Sequence, residues 1–156
     1  MNKQRKQVLV RALVYFAFAN LVWESVQAPL YTIWAQDWGT IAFAVMHCTA
    51  GDVLIGGVAM LAALVGLGKE WPNTPQSQVR IMIATTTLGI AYTIFSEWLN
   101  VEVRASWAYG PAMPIVPVLG TGLAPLAQWV FLPSLALWLG ATAVRPQGAS
   151  KQPRSG

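Results

Sequence analysis

The sequence predicts an all-α integral membrane protein, a four-transmembrane-helix antiparallel bundle with both termini in the cytoplasm. Three observations predict it. Only 10% of the 156 residues are charged and 55% are hydrophobic, whereas a soluble domain carries about 25% charged residues. Too little polar side chain remains to cover a globule in water. Four apolar runs also reach the about 20 residues that a bilayer requires. Finally, basic residues gather at alternate ends of those runs, as the positive-inside rule demands.

The first span covers roughly 12–34. Lys3, Arg5, Lys6 and Arg11 precede it and hold its start in the cytoplasm. Its basic start, apolar middle and the small-x-small "VQA" at 26–28 mimic a cleaved signal peptide. Pro29 directly after that point is a poor cleavage context, and Glu24 and Gln27 interrupt the pattern, so the span is expected to be retained. The second span, roughly 40–67, is the longest and has room to tilt. Lys69 and Arg80 flank the loop after it. The third span covers roughly 79–99 and the fourth 119–144. Arg145, Lys151 and Arg154 follow the fourth. Only Arg104 lies on the other side. Trp34, Trp38, Trp98 and Trp107 gather near the expected outer interface, and Trp71 near the inner one, as an interfacial belt would.

Residues 1–144 are thus expected to form one transmembrane domain, because short connections force neighbouring helices antiparallel. The tail, residues 145–156, is polar and expected to be a disordered cytoplasmic segment. The loop at 101–118 carries Pro111, Pro114 and Pro117, which disfavour a long helix. It is apolar and aromatic, and reads as a cap or shallow re-entrant segment over the outer mouth. A bacterial cytoplasmic (inner) membrane is the expected location, with the lipid bilayer as solvent.

Polar residues are costly inside a span and usually face the bundle interior. Asn20, Glu24 and Gln27 lie four and three positions apart, so they share one helical face, which Tyr31 extends. Thr93, Glu97, Asn100 and Arg104 repeat that spacing in the third span, while Glu102 points elsewhere. At a rise of 1.5 Å per residue, Glu24 lies roughly 12–15 Å below the outer end of its helix, Gln128 roughly 12 Å down and His47 roughly 10 Å below the outer surface. Glu97 lies within about a turn of it. Every helix therefore supplies a polar group to the outer half, and the inner half is nearly all apolar. His47 and Asp52 diverge by about 140° around their helix. Between them Ala44, Cys48 and Gly51 form a small-residue stripe that would let helices approach closely. Asp52 falls near mid-membrane, beneath the outer cluster.

This pattern suggests a polar ligand-, metal- or substrate-binding site in the outer half. One reading is a membrane-embedded enzyme acting on a lipid or other amphiphile. Glu24, His47, Asp52 and Glu97 are the candidate acid–base residues, because a neutral side chain would join helices more cheaply than a carboxylic acid. Gln27, Asn100, Arg104 and Gln128 are the candidate substrate-binding residues, with Arg104 suited to an anionic head group. Glu24, His47 and Glu97 are candidate ligands of a divalent metal. A neutral reading stands beside each: an interhelical hydrogen bond for Glu24 and Gln27, a bond to Thr49 or to a neighbouring helix for Asp52, and an interfacial ion pair for Glu97 and Arg104. Alternatives for the whole chain are a small proton-coupled transporter, or an accessory subunit of a homodimer or larger membrane complex. With one histidine, bis-histidine haem within one chain is excluded. With one cysteine, so is an intramolecular disulfide. The net charge of +4 is not gathered into one patch, which argues against nucleic acid as a partner. No nucleophile motif, phosphate loop or helical HExxH is present.

Overall fold

The computed structural model describes residues 2–143. The end of the predicted fourth span at Val144, and the tail with Arg145, Lys151 and Arg154, lie outside the described residues. Within them the chain is mostly helical, and four helices are long and apolar enough to cross a membrane. They are α1 (Lys3–Gln27), α2 (Trp38–Leu67), α3 (Pro75–Glu97) and α4 (Leu123–Thr142).

Local chemistry sets the boundaries, and it corrects several expected ones. The Asn2 side chain accepts from the Arg5 N–H at 2.9 Å, so α1 is capped and starts at Lys3 rather than near residue 12. It stops at Gln27, not near residue 34. Pro29 has no N–H and cannot continue an α-helix, so the chain passes into tight 3-10 turns at Ala28–Leu30 and Thr32–Ala35. Asp37 caps α2 by accepting from the N–H groups of Gly39 and Thr40. Thr74 caps α3, and Pro75 occupies its first turn, where no N–H is needed. The α3 chain continues past Glu97 as a π-helical segment, Trp98–Val103, in which the Arg104 N–H bonds the carbonyl of Leu99, five residues back. The start of α4 is delayed to Leu123 because β1 (Ile115–Val116) and β2 (Thr121–Gly122) pair as a small antiparallel hairpin. Gly120 turns that hairpin with a φ of +65°, a conformation that suits glycine.

Helix α1 packs on α2 and α4, and α3 packs on the same two. The apolar core holds Val8, Phe16, Met60, Ile81 and Leu137, all fully buried. Between helices already surrounded by apolar groups, association comes from close van der Waals contact rather than from water exclusion. Glycines make that contact, Gly56 and Gly89 among them. A Cβ on Gly56 would come within 2.2 Å of the Phe16 ring, and one on Gly89 within 1.9 Å of Trp129. The two aromatic rings meet each other at 5.8 Å. Gly51 behaves differently. Nothing lies within 4 Å of its Cβ position, so the stripe Ala44, Cys48 and Gly51 is the wall of an open space and not a close helix contact. Trp71 is also corrected: it is 1% exposed and part of the core, not of an interfacial belt.

The two ends of the helices differ. At one, the Arg5 guanidinium donates to the Lys69 carbonyl and Arg11 donates to Ala143 at 2.5 Å, so the start of α1, the α2–α3 loop and the end of α4 meet there. At the other, the loop after α3 folds back on the turns after α1. The Thr32 N–H bonds Ala108 at 3.0 Å and the Gly110 N–H bonds Leu30 at 2.7 Å. Tyr31 and Tyr109 form a β-bridge there, with rings 5.6 Å apart. This second end is the capped end. The proline-rich loop forms its cap.

Candidate functional site

Beneath the cap lies a cavity of about 700 Å³. All eight candidate residues line it: Glu24, Gln27, His47, Asp52, Glu97, Asn100, Arg104 and Gln128. They do not play one structural part, however, and they divide into a buried network, a tyrosine-held acid and a rim.

The buried network joins three helices. Its amide orientations are set from its ends, where each group has only one role. The indole N–H of Trp23 can only donate, and it donates to Gln27 Oε1 at 3.1 Å. Gln27 therefore turns its amide nitrogen to Glu24 Oε1 at 2.7 Å and to Gln128 Oε1 at 3.2 Å. The Phe16 carbonyl can only accept, and it takes Asn20 Nδ2 at 2.7 Å. Asn20 therefore presents Oδ1 to Gln128 Nε2 at 2.7 Å. Gln128 is left holding the acids. Its Nε2 also lies 2.7 Å from Asp52 Oδ2 and 3.1 Å from Glu24 Oε1. The +4, +3 spacing in α1 produces this arrangement by aligning Asn20, Glu24 and Gln27 toward α4.

One amide nitrogen carries two hydrogens, and Gln128 Nε2 faces three acceptors. Both carboxyl groups approach that one nitrogen, so the network is a donor short. One proton on this pair would supply the missing donor and leave one acid beside one base. Asp52 thus sits in the network and not beneath it. Its hydrogen bond goes to Gln128 rather than to Thr49, whose hydroxyl has no partner among the described residues.

Glu97 stands apart from this pair. Tyr109 donates its hydroxyl proton to Glu97 Oε2, and the same hydroxyl accepts from the Gly122 N–H at 3.0 Å. Burial and the neighbouring Glu97 carboxyl hold the Tyr109 phenol above its ordinary value, so it remains a donor. The indole of Trp107 also faces Glu97, with its N–H buried and without a hydrogen bond of good geometry. The sequence reading of an ion pair between Glu97 and Arg104 is corrected, since Tyr109 is the partner that holds Glu97. Arg104 is exposed at the cavity rim. The π-helical segment widens the chain between Glu97 and Arg104, and such segments recur at functional sites. Asn100 donates Nδ2 to the Ser96 carbonyl at 2.9 Å.

His47 is exposed at the cavity's side and stacks on Phe43, with ring centroids 5.7 Å apart. It lies outside the carboxyl network. Its divergence from Asp52 around α2 explains this, because a helix that turns Asp52 inward turns His47 away. Glu24, His47 and Glu97 were candidate ligands of a divalent metal. Among the described residues, no three His, Cys, Asp or Glu side chains are placed to hold one ion. The donor set does not fit a metal centre as it stands.

Sequence reasoning did not pick out Tyr109, Tyr92 or Phe43. A signal for Tyr109 exists in "WAYG", an aromatic pair in a loop whose only expected duty was to cap. Trp107 was assigned to the interfacial belt, yet it lines the cavity. Comparison with protein-family models, with curated proteins and with solved structures gives no match to this chain.

Proposed function

We propose that this chain is a membrane-embedded acid–base protein whose cavity binds an amphiphile and exchanges protons with it. The observation that carries the reading is the Glu24–Asp52 pair, two carboxyl groups bridged by Gln128 at the wall of a cavity of about 700 Å³. A protonated carboxyl next to an ionised one can give a proton to one atom of a ligand and take one from another. Such an exchange leaves the protein's proton count unchanged and needs no oxidant or reductant. Glu97, held by Tyr109, would orient a polar group of the ligand. Arg104 at the rim suits a head group outside.

The topology belongs to the same proposal. Gly140 meets Ala12, and Gln128 meets Asn20 and Glu24, as antiparallel α1 and α4 would. The basic Lys3, Arg5, Lys6 and Lys69 gather at the uncapped end, which supports cytoplasmic termini in a bacterial inner membrane. The cavity then faces the outer half of the bilayer. The packed floor of Phe16, Met60 and Ile81 favours a site closed at its inner end over a through-path for transport.

The test is to incubate the protein in nanodiscs with a bacterial lipid extract in D2O. Mass spectrometry then follows lipids whose retention or deuterium content changes. Glu24→Gln and Asp52→Asn, checked for folding by thermal unfolding, should each lower that change by about 10²–10⁴-fold, the range of general acid–base catalysis. Equal conversion by wild type and both variants, or none by any, would overturn the reading.

A further inference from the structure

We infer that the ligand reaches the carboxyl pair sideways from the bilayer, through a portal between α2 and α3, and leaves its apolar chain there. This rests on the acid–base reading for the ligand's head, while the route itself stands on the shape of the cavity.

The cavity wall is not the same on all sides. From α1 it takes Glu24 and Gln27, and from α4 Pro125, Gln128 and Trp129, all of them buried. That side is closed. From α2 and α3 it takes exposed residues as well as inward ones. Phe43 is 71% exposed and Tyr92 43% exposed, yet both line the same cavity as buried Glu97. A space bounded both by buried acids and by outward-facing aromatics opens between the two helices that carry them.

Helical geometry accounts for the opening. Phe43 and His47 are one turn apart on α2, and lie about 60–140° round from the inward stripe of Ala44 and Cys48. On α3, Tyr92 and Ser96 are likewise one turn apart, flanking the inward Thr93 and Glu97. Small residues stand where the helices would otherwise touch. Gly51 has nothing within 4 Å of its Cβ position, so the gap is built into the sequence. The portal lies along helices that are apolar enough to sit in a membrane. Its sill sets the rings of Phe43 and Tyr92 beside the polar His47 and Ser96, a mixed edge that suits an amphiphile with an acyl or isoprenoid-like chain. An amphiphile oriented this way would place its head near Glu97 and the Glu24–Asp52 pair.

The chain's single cysteine reports on the route. Cys48 is half-buried on the cavity wall. The probes are N-dodecylmaleimide, which dissolves in the bilayer, and a sulfonated water-soluble maleimide, each applied to protein in nanodiscs. Partition into lipid is normalised with a Cys48→Ala/Val65→Cys reference, since Val65 is 88% exposed on the outside of α2. Comparing the two probes on the same thiol removes its intrinsic reactivity. Ser96→Trp should plug the portal and slow dodecyl labelling of Cys48 by about tenfold, the factor that ~1.4 kcal/mol of added barrier gives. The water-soluble probe should be unaffected. Phe43→Ala, an exposed position where folding is not at stake, should speed dodecyl labelling. If neither variant changes the dodecyl rate, or if the water-soluble probe labels Cys48 as fast as the normalised dodecyl probe, entry is from the aqueous rim and the portal is wrong. The labelling needs no turnover. Loss of the portal with Glu24→Gln still inactive would leave the acid–base reading standing, and the converse result would leave the portal standing.

Discussion

The capped end and the uncapped end of this helix array are built from the same four helices by different rules. At the uncapped end Val8, Met60, Ile81 and Leu137 are fully buried, and Gly140 lets α4 close on Val8 and Ala12 of α1. At the capped end the helices stay apart around a cavity, and the chain spends polar hydrogen bonds instead of packing. Asn20, Glu24, Gln27, Asp52 and Gln128 tie α1, α2 and α4 together there. A simple stabilising role would not need carboxylic acids, since amides alone make interhelical bonds at lower cost. The difference teaches that one set of helices is joined by two means, close packing at the apolar end and hydrogen bonds around an open space at the polar end.

The sharpest way to break this contrast is to alter one buried side chain at each end. Gln128→Leu keeps the volume but removes the donor shared by Asn20, Glu24 and Asp52. Hydrogen bonds between membrane helices are worth about 0.6–1.7 kcal/mol each, so losing the three should cost about 2–5 kcal/mol, read by unfolding in detergent. Met60→Leu at the uncapped end conserves volume in a packed core and should cost less than about 1.5 kcal/mol. Equal losses would mean that the polar network is no more specific than the core.

A smaller effect sharpens the contrast at the exposed margin of the capped end. Asp37 accepts from Thr40 Oγ1 at 2.6 Å and from two N–H groups of the first turn of α2. These hydrogen bonds, led by that of Thr40, hold its carboxyl below the usual value. A depressed carboxylate stabilises the fold above its unfolded pKa of about 3.9, and that contribution fades as pH falls through the lower folded value. The protection factor of the first turn of α2 against hydrogen exchange should therefore fall only in acid, below about pH 4. In Asp37→Asn it should not depend on pH there.

Much of the scaffold is legible in the sequence, and the reasons are physical. Four apolar runs and their length gave the helices, and α2 ends at Leu67 as expected. The spacing of Asn20, Glu24 and Gln27 marked one helical face, and that face makes the network. The α1 limits were misjudged because hydropathy tracks the bilayer. A helix instead ends where hydrogen bonding fails, at Pro29, and starts where a cap permits, at Asn2. The pairing of Asp52 with Glu24 was also hidden, since it depends on how α2 rotates against α1 and α4. Periodicity fixes which residues share a face, but not which way the face turns. For the same reason His47 seemed as central as Asp52 and proved to stand at the side. Tyr109 was out of reach because a loop's fold-back depends on pairing with a segment almost eighty positions away.

The most direct measurement is the infrared spectrum of the protein in lipid, in the carbonyl-stretch region of protonated carboxyl groups. The claim is that Glu24 and Asp52 hold one proton between them inside the cavity. Wild type should show that band, and the Glu24→Gln/Asp52→Asn double variant, folded by the same criteria, should lose it. Identical spectra in that region would contradict the shared proton, and with it the acid–base reading of the site.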